Sequence, residues 1–280
     1  MTSPNTETRA DTETLTNTET LKIERQDHAL FITLDRPKVR NAMSLKMVHE
    51  LMTVFEEIHS DRSIRAVVLR GAEGNFCAGG DIGDMANARS AVGQSSEDPF
   101  AMLNRDFGRM ITMVNAAPQV VIAVIEGAVL GGGFGLACVS DVAIAHKNSQ
   151  FGLPETGLGI PPAQIAPFVV KRIGLTQTRR LALLGARFNG DEAERLGLVH
   201  DVVDSDDTLQ ETIEEILIQV KRCAPQANAI TKSLLLAVDQ EPLESLLDRA
   251  AQQFGQAVQG DEGKEGTMAF MQKRKPAWAE

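Results

Sequence analysis

The chain has 280 residues, of which 43% are hydrophobic and 24% charged, and its formal net charge is −10. This acidic balance argues against nucleic acid as a partner, because binding to phosphates needs a basic surface. No apolar run reaches the roughly 18 residues of a membrane span, so we expect no membrane partner either.

The cysteines and the N-terminus predict a cytoplasmic protein. Cys77, Cys138 and Cys223 form no C-x-x-C pair, which indicates buried thiols in a reducing compartment and neither a disulfide framework nor a metal site. The N-terminus lacks the apolar core of a secretion signal. It also contains acidic residues, which mitochondrial transit peptides avoid.

Three regions differ in pattern along the chain. Residues 1–20 repeat a polar unit (N-T-E-T, D-T-E-T, N-T-E-T) with almost nothing apolar to bury, so we predict a disordered tail. Residues 21–205 alternate strand-like and helical patterns, which indicates an α/β core. Residues 206–280 show helical patterns only, and we expect a C-terminal helical region there.

The core begins with a predicted β-hairpin over residues 21–34, followed by a helix that Ser44 caps. Ala66–Leu69 predicts a buried strand, and it leads into a glycine-rich loop at 71–82. Residues 83–98 are small and polar, which is typical of a mobile flap over a site. The next helix ends before Pro118, and we expect six of its apolar residues to face inward: Met102, Leu103, Phe107, Met110, Ile111 and Val114.

The following stretch combines a strand, a glycine turn and a helix. Val120–Ile125 predicts a buried strand, Gly131–Gly133 follow, and Phe134–Val139 predicts a helix. Such a helix start presents unpaired N–H groups and the positive end of the helix dipole, which together favour negative charge. Further along, Glu155 is a lone acid in an apolar, Gly-rich segment. A donor-rich turn and one acid suggest chemistry in which an oxyanion forms and a proton moves.

The loop at 71–82 follows its strand in the same way, so each turn could donate one N–H to a shared oxygen. Simpler explanations exist, because glycines often only allow a helix to pack closely on a sheet, and a lone Glu is usually a surface residue. Two nucleotide-binding motifs and one hydrolase motif are excluded. The dinucleotide fingerprint lacks its third glycine, where Cys138 stands, and no G-x-x-x-x-G-K-[ST] or G-x-S-x-G occurs.

Five runs resemble the crotonase (enoyl-CoA hydratase/isomerase) superfamily. They are F-C-A-G-G-D-I at 76–82, G-A-V-L-G-G-G-F-G-L-A-C-V-S-D at 127–141, F-G-L-P-E at 151–155, E-A-x-x-x-G-L-V at 192–199 and A-F-M-Q-K-R-K-P at 269–276. The similarity extends over roughly residues 21–278. It implies a spiral of repeated ββα units, a C-terminal helical region used in oligomerisation, and homotrimers or dimers of trimers. It also implies an acyl-CoA thioester as substrate, with no separate cofactor because coenzyme A is part of that substrate.

The resemblance also implies roles for individual residues. The backbone N–H groups of Gly80 and Gly132 correspond to the oxyanion hole, and Glu155 to a catalytic carboxylate. The residues that correspond to coenzyme A contacts are Lys38, Val39, Arg40, Ala78, Ile82 and Lys273, the last one often reaching across a subunit interface. Hydratases of this family typically hold a water between two glutamates, and the first of these is replaced here by Gly135.

Three activities fit this departure. The runs at 131–136 and 153–170 look most similar to the hydratases of branched glutaconyl-CoA esters, and among these to the isohexenylglutaconyl-CoA hydratases of acyclic terpene breakdown. Gly135 would then leave room near the β-carbon, where the substrate's own carboxylate could help to hold the water. The alternatives are an enoyl-CoA isomerase that uses Glu155 alone as a proton shuttle, and a non-catalytic acyl-CoA-binding protein.

Overall fold

The structure is a computed structural model that describes residues 18–280. Most of the predicted tail at 1–20 lies outside the described residues. Its last two residues contact the core, because the backbone amides of Glu19 and Thr20 donate to the carboxylate of Glu50 at 3.0 and 2.9 Å. Thr20 is buried by this contact.

Six strands form the main sheet: β1 Leu21–Gln26, β2 Ala29–Leu34, β3 Ala66–Gly71, β4 Val120–Ile125, β6 Val142–His146 and β9 Asp201–Val203. They lie side by side in the order β1-β2-β3-β4-β6-β9. The first pair is antiparallel, as the predicted hairpin requires, and every other pair is parallel. Side chains of β2, β3 and β4 alternate between two hydrophobic clusters on opposite faces, so these strands are buried on both sides and appear as continuous apolar runs.

A second, smaller sheet is built from β5 (Ala128–Leu130), β7 (Gln150–Gly152) and β8 (Arg187–Phe188). Three aromatic rings hold it against the helix that follows β5. Phe151 and Phe188 stack with their centroids 5.5 Å apart, and Phe134 meets both rings edge-on at 6.3 and 6.1 Å. Such pairs add specific geometry to the burial of large apolar area.

Ten α-helices complete the described chain. They are α1 Leu45–Ile58, α2 Ile82–Ala91, α3 Pro99–Ala116, α4 Gly132–Val139, α5 Ala166–Leu184, α6 Gly190–Arg195, α7 Asp206–Arg222, α8 Pro225–Ala237, α9 Leu243–Gln259 and α10 Asp261–Met271. Ser44 caps α1 as predicted, through its side chain and the N–H of Met47. The segment at 83–98, predicted as a mobile flap, is helical in its first half, since α2 begins at Ile82 with Asp81 as its N-cap.

One burial prediction in α3 was also wrong. Met102 is 50% exposed, whereas Met110, Ile111 and Val114 are fully buried as expected. Met102 lies in the first turn of α3, beyond the point where the helix meets the core.

Helix α7 packs on the outer face of the main sheet. Leu209, Ile213 and Val220 of α7 belong to the cluster that covers this face. In α8, Nζ of Lys232 lies 2.6 Å from Oδ2 of Asp141 and donates to the carbonyl of Gln119. The apolar face of α7 and the Lys232–Asp141 ion pair thus both attach the C-terminal region to the core.

Two of the three cysteines are buried thiols as predicted, and the third is not. Burial raises the pKa of Cys77 to about 11 and also raises that of Cys138. Cys223 is exposed at the end of α7, beside Arg222, whose carbonyl accepts a hydrogen bond from the Trp278 ring. Among residues 18–280 no helix is both long and apolar enough to cross a membrane.

Candidate active site

The turn between β5 and α4 is fixed by the small sheet. Leu130 pairs with Gly152 in the parallel register of β5 and β7, and the N–H of Gly131 donates to the Gly152 carbonyl at 3.2 Å. Gly131 has φ +49° and ψ −113°, a backbone conformation that residues other than glycine rarely adopt. Helix α4 begins at the next residue, and its first N–H groups have no partner within the helix.

The loop after β3 lies directly beside this turn. Cys77 forms an isolated parallel bridge with Val129, and the Leu130 N–H donates to the Cys77 carbonyl at 2.9 Å. A Cβ on Gly131 would lie only 3.5 Å from Cα of Gly79. The two glycine turns are therefore neighbours, as the sequence analysis anticipated.

The amides of Gly80 and Gly132 are both available to a ligand. Gly80 forms an isolated bridge with Met43. The bonds of this bridge join Met43 to the carbonyl of Gly79 and to the N–H of Asp81, so the N–H of Gly80 itself stays free. Gly132 is the first residue of α4, where no intrahelical acceptor exists. Over residues 18–280 neither amide has a protein acceptor. Two such donors from adjacent turns are what an anionic oxygen needs.

Glu155 places its carboxylate at this junction. A Cβ on Gly131 would lie 2.9 Å from Oε1 of Glu155, so the absence of a side chain there makes room for the acid. The other oxygen, Oε2, is buried and has no hydrogen-bond partner in the described chain. Glu155 opens a short 3₁₀ turn that ends at Leu158, and Thr156 ties this turn to α5 through the Ala182 carbonyl at 2.8 Å.

The surroundings of Glu155 favour a proton on the carboxyl group. Burial raises its pKa above the ordinary value of 4.5, and a hydrogen bond to its own backbone N–H opposes this only in part. No ion pair within residues 18–280 involves Glu155. A carboxyl group with a raised pKa and a free, buried oxygen can both accept and return a proton near neutral pH.

Apolar side chains form the wall next to the turns. The ring of Phe107 in α3 lies against Gly132, where a Cβ would be 3.1 Å from Cε2. Gly135 is buried beneath Ile165 and Ile111, and a Cβ there would lie 2.5 and 2.8 Å from their methyl carbons. The expectation that Gly135 leaves room for a water or a carboxylate was therefore wrong, because two isoleucines from distant elements fill the space.

The remaining site residues fall into two groups. Residues 40–43 run beside 78–81, with the Ala78 N–H donating to the Arg40 carbonyl at 3.0 Å. This brings Lys38, Val39 and Arg40 close to Ala78 and to Ile82, which is 82% exposed at the start of α2. Lys273, by contrast, lies past the end of α10, and no hydrogen bond or ion pair in the described chain connects it with the glycine turns.

Comparison with known proteins decides the family. A family model described as enoyl-CoA hydratase/isomerase matches residues 24–280. The chain belongs to the enoyl-CoA hydratase/isomerase family. Its two sheets and C-terminal helices are the α/β crotonase fold, which confirms the predicted fold class. As a member of the enoyl-CoA hydratase/isomerase family it is an enzyme of the hydro-lyase type, and an acyl-CoA substrate is implied.

Individual relatives cover nearly the whole chain. AtuE of Pseudomonas aeruginosa is 61% identical in sequence, with a TM-score of 0.91 over 94% of this chain and 100% of its own. The 2,3-dehydroadipyl-CoA hydratase of Escherichia coli is 32% identical over 257 residues, which are 91% of this chain and 97% of the relative. The short-chain-enoyl-CoA hydratase of Clostridium acetobutylicum is 31% identical over 255 residues, 90% of this chain and 95% of the relative.

Sequence reasoning missed one residue that shapes this enoyl-CoA hydratase/isomerase family site. Asn41 is fully buried, and its side-chain amide donates to the carbonyls of Ala72 and Asn75. Its Oδ1 accepts the N–H of Arg36 at 2.9 Å, so one side chain joins the loop at 37–42 to the loop at 72–80. Asn41 also has φ +56°, and asparagine is among the few residues that tolerate this region. The signal for this role in the sequence was the asparagine itself, placed between charged Arg40 and apolar Ala42.

Proposed function

We propose that this chain adds water across the 2,3 double bond of a branched glutaconyl-type enoyl-CoA ester, of the isohexenylglutaconyl-CoA kind. The observation that carries the proposal is the position of Glu155, whose carboxylate lies against the Gly131 turn with one oxygen buried and unpartnered. Glu155 is proposed as the acid that serves the free amides of the two glycine turns.

The amides of Gly80 and Gly132 are proposed to hold the thioester oxygen. As water adds, the π electrons of the conjugated system move onto this oxygen and form an enolate. Two backbone donors in a site shielded from water stabilise such a charge, and the loss of one donor typically costs about 10²–10³ in rate. The positive end of α4 points at the same place and adds to the effect.

Glu155 is proposed to act as base and then as acid. Its carboxylate takes a proton from the water whose oxygen bonds to C3, and it returns the proton to C2 as the enolate collapses to the thioester. No second carboxylate is needed for this proton balance, and Gly135 offers none. The raised pKa of Glu155 suits both halves of the reaction, because the group then titrates closer to neutral pH.

Coenzyme A is proposed to lie along the loop at 38–40 and the start of α2. Lys38 and Arg40 are exposed, and neither forms an ion pair within residues 18–280, so both cations are open to phosphate groups. Val39, Ala78 and Ile82 offer apolar surface for the adenine ring. Lys273 is proposed to reach the nucleotide of a neighbouring subunit, which agrees with its position past the end of α10.

The substrate class rests on sequence similarity and on one relative. The runs at 131–136 and 153–170 look most similar to the hydratases of branched glutaconyl-CoA esters. The E. coli relative is named for 2,3-dehydroadipyl-CoA, so a family member with 32% identity has a name that describes a thioester of a dicarboxylic acid.

Hydration and isomerisation are distinguished by isotope labelling. The absence of a second acid at Gly135 favours an isomerase as the alternative, since one carboxylate suffices to move a proton between two carbons. In H₂¹⁸O we expect one ¹⁸O in the product of a 3-methylglutaconyl-CoA or isohexenylglutaconyl-CoA incubation, read by mass spectrometry, and none with Glu155→Ala. A shifted double bond without label would instead establish isomerisation. Equal rates on glutaconyl-type and plain enoyl-CoA esters would contradict the proposed substrate class.

The chain is also proposed to assemble as a homotrimer or a dimer of trimers. Large apolar side chains of the C-terminal helices are exposed, including Leu247 at 53%, Phe254 at 71% and Phe270 at 85%. Exposed apolar area of this kind marks an interaction surface. Light scattering should give the mass of three or six chains of 30.3 kDa each. A monomer at micromolar concentration would contradict the assembly.

A further inference from the structure

Three polar side chains meet at the contact between α3 and the segment that leads into α5. Nη1 of Arg105 donates to Oε1 of Gln164 at 3.3 Å, and Nε2 of Gln164 donates to Oδ1 of Asn104 at 3.0 Å. These three residues form what we call the 104/105/164 cluster. Glutamine thus links an arginine and an asparagine that are neighbours in the chain.

Gly108 forms the floor of this cluster. A Cβ on Gly108 would lie 1.9 Å from Oε1 of Gln164 and 2.7 Å from Nη1 of Arg105. Gly108 is buried, so the amide and the guanidinium rest directly on bare helix backbone. Any larger residue would displace both groups.

The cluster lies next to the apolar wall of the candidate active site. Gly108 follows Phe107, whose ring contacts Gly132, and Gln164 precedes Ile165, whose methyl group contacts Gly135. The same two segments therefore contribute both the apolar wall and the cluster. An acyl chain that runs from the glycine turns along this wall would bring its far end toward Arg105.

The charge of Arg105 is uncompensated. Within residues 18–280 it pairs with no carboxylate, although Arg109, one turn further along α3, lies 2.7 Å from Oδ1 of Asp106. The single hydrogen bond to Gln164 leaves most of the guanidinium donors free, and arginine binds carboxylates through two parallel N–H groups. An exposed guanidinium next to the segments that supply Phe107 and Ile165 is suited to an acyl group that ends in an acid.

We propose that Arg105 binds the second carboxylate of the acyl group, with Gln164 and Asn104 orienting the guanidinium. The proposal rests on the proposed function for the identity of the acyl group. It replaces the position at Gly135, which isoleucine side chains fill. Arg105 acts here on specificity and touches neither the double bond nor the water.

Binding of two unreactive esters tests this assignment. Glutaryl-CoA and valeryl-CoA both have five-carbon acyl groups, and only the first carries a second carboxylate. In calorimetric titrations we expect the full-length protein to bind glutaryl-CoA more tightly than valeryl-CoA. Arg105→Ala should lower the affinity for glutaryl-CoA by about 10- to 100-fold, as for the loss of a charge-assisted hydrogen bond. Valeryl-CoA should bind the variant as it binds the parent protein.

Matched variants separate charge from geometry. Arg109→Ala removes a cation from the same helix and should change neither affinity. Arg105→Lys keeps the charge but not the paired donors, and it should recover part of the loss. Gly108→Ala leaves Arg105 in the sequence but should reproduce the selective loss, since its Cβ would displace both the Gln164 amide oxygen and the guanidinium.

The outcomes also separate this inference from the proposed function. If Arg105→Ala weakens both esters equally or neither, the carboxylate site is overturned, whether or not the parent protein hydrates its substrate. If the loss is selective while no ¹⁸O is incorporated, hydration is wrong and the carboxylate site stands. If the parent protein binds neither ester, both proposals are wrong.

Discussion

At the scale of single residues, Glu155 shows how one carboxyl group can carry opposite demands. Its buried Oε2 has no partner in the described chain, and an unpartnered buried oxygen costs folding free energy. The same burial raises the pKa and so prepares the group for proton transfer. Sites of function often carry strain of this kind, which the rest of the fold offsets.

We predict that Glu155→Gln strongly lowers turnover and stabilises the fold at neutral pH. Loss of a general acid and base should lower kcat by about 10²–10⁴. The folded-state pKa is raised, so the favourable contribution of the protonated group is complete below the unfolded value near 4.5 and is lost as pH rises through the folded value. The Glu155→Gln variant avoids this loss, so its melting temperature should exceed that of the parent protein at pH 7–8.

The difference in melting temperature between Glu155→Gln and the parent protein should shrink as pH falls toward 4, where Glu155 of the parent is itself protonated. Thermal melts at several pH values measure this directly. A variant that is less stable than the parent at pH 8 would show that the carboxylate is better solvated than its burial indicates.

Gly131 offers a second prediction at this scale. Gly131→Ala places a Cβ 2.9 Å from Oε1 of Glu155 at a φ of +49°, so we expect displacement of the carboxylate together with backbone strain of about 1–3 kcal/mol. Gly80→Ala is the control for stability, because its Cβ would meet only Cε of Met85 at 3.6 Å and its φ is not positive. Chemical unfolding should find the first variant weakened and the second unchanged; equal stability of both would contradict the strain.

At the scale of elements, the site depends on strand register. Pairing of Leu130 with Gly152 sets the distance between the glycine turn and Glu155, and the Cys77–Val129 bridge sets the position of the other turn. A slip by one residue in either pairing would reverse which side chains face the core. The small second sheet, only three strands wide, therefore positions the proposed catalytic acid.

We predict strong coupling between Gly135 and Ile165. Gly135→Ala alone should destabilise the protein by about 1–3 kcal/mol, because a Cβ would overlap the Ile165 methyl carbon at 2.5 Å. Ile165→Ala creates a cavity and should also destabilise. In the double variant each change relieves the other, so the combined loss should be well below the sum, as a double-mutant cycle in urea would measure. Additive losses would mean that α4 and Ile165 shift apart freely.

Much of this element structure was predictable from local patterns. The hairpin, the Ser44 cap and the strand–glycine turn–helix sequence each have a short-range signal, and all three were confirmed. The packing over Gly135 was not predictable, because Ile111 and Ile165 come from elements on either side in the chain and only the fold brings them together. Helix α2 was missed because its small polar residues resemble a loop, although Asp81 was a cap signal.

At the scale of the whole molecule, a partly buried ion pair helps to attach the C-terminal helices to the core. Asp141 is 31% exposed, so water screens part of its charge. We predict that Lys232→Met destabilises the protein by about 1–3 kcal/mol, since it leaves the charge of Asp141 without its partner. Burial lowers the pKa of Lys232, and the attraction of Asp141 opposes this.

The matched control is the double variant Lys232→Met with Asp141→Asn. It removes both charges and keeps an oxygen for the Val121 N–H, which Asp141 accepts at 2.7 Å. We expect it to be more stable than Lys232→Met alone in urea titrations. If the two variants unfold at the same urea concentration, the pair does not hold the helices in place.

Cys223 provides a probe that requires no engineering. It is the exposed thiol of the chain, whereas burial and raised pKa values keep Cys77 and Cys138 unreactive. It adjoins Arg222, whose carbonyl binds the indole of Trp278, the sole tryptophan in the sequence. A nitroxide or quencher attached to this thiol would dim the tryptophan emission while the chain end stays docked, and recovery of the fluorescence would time its release.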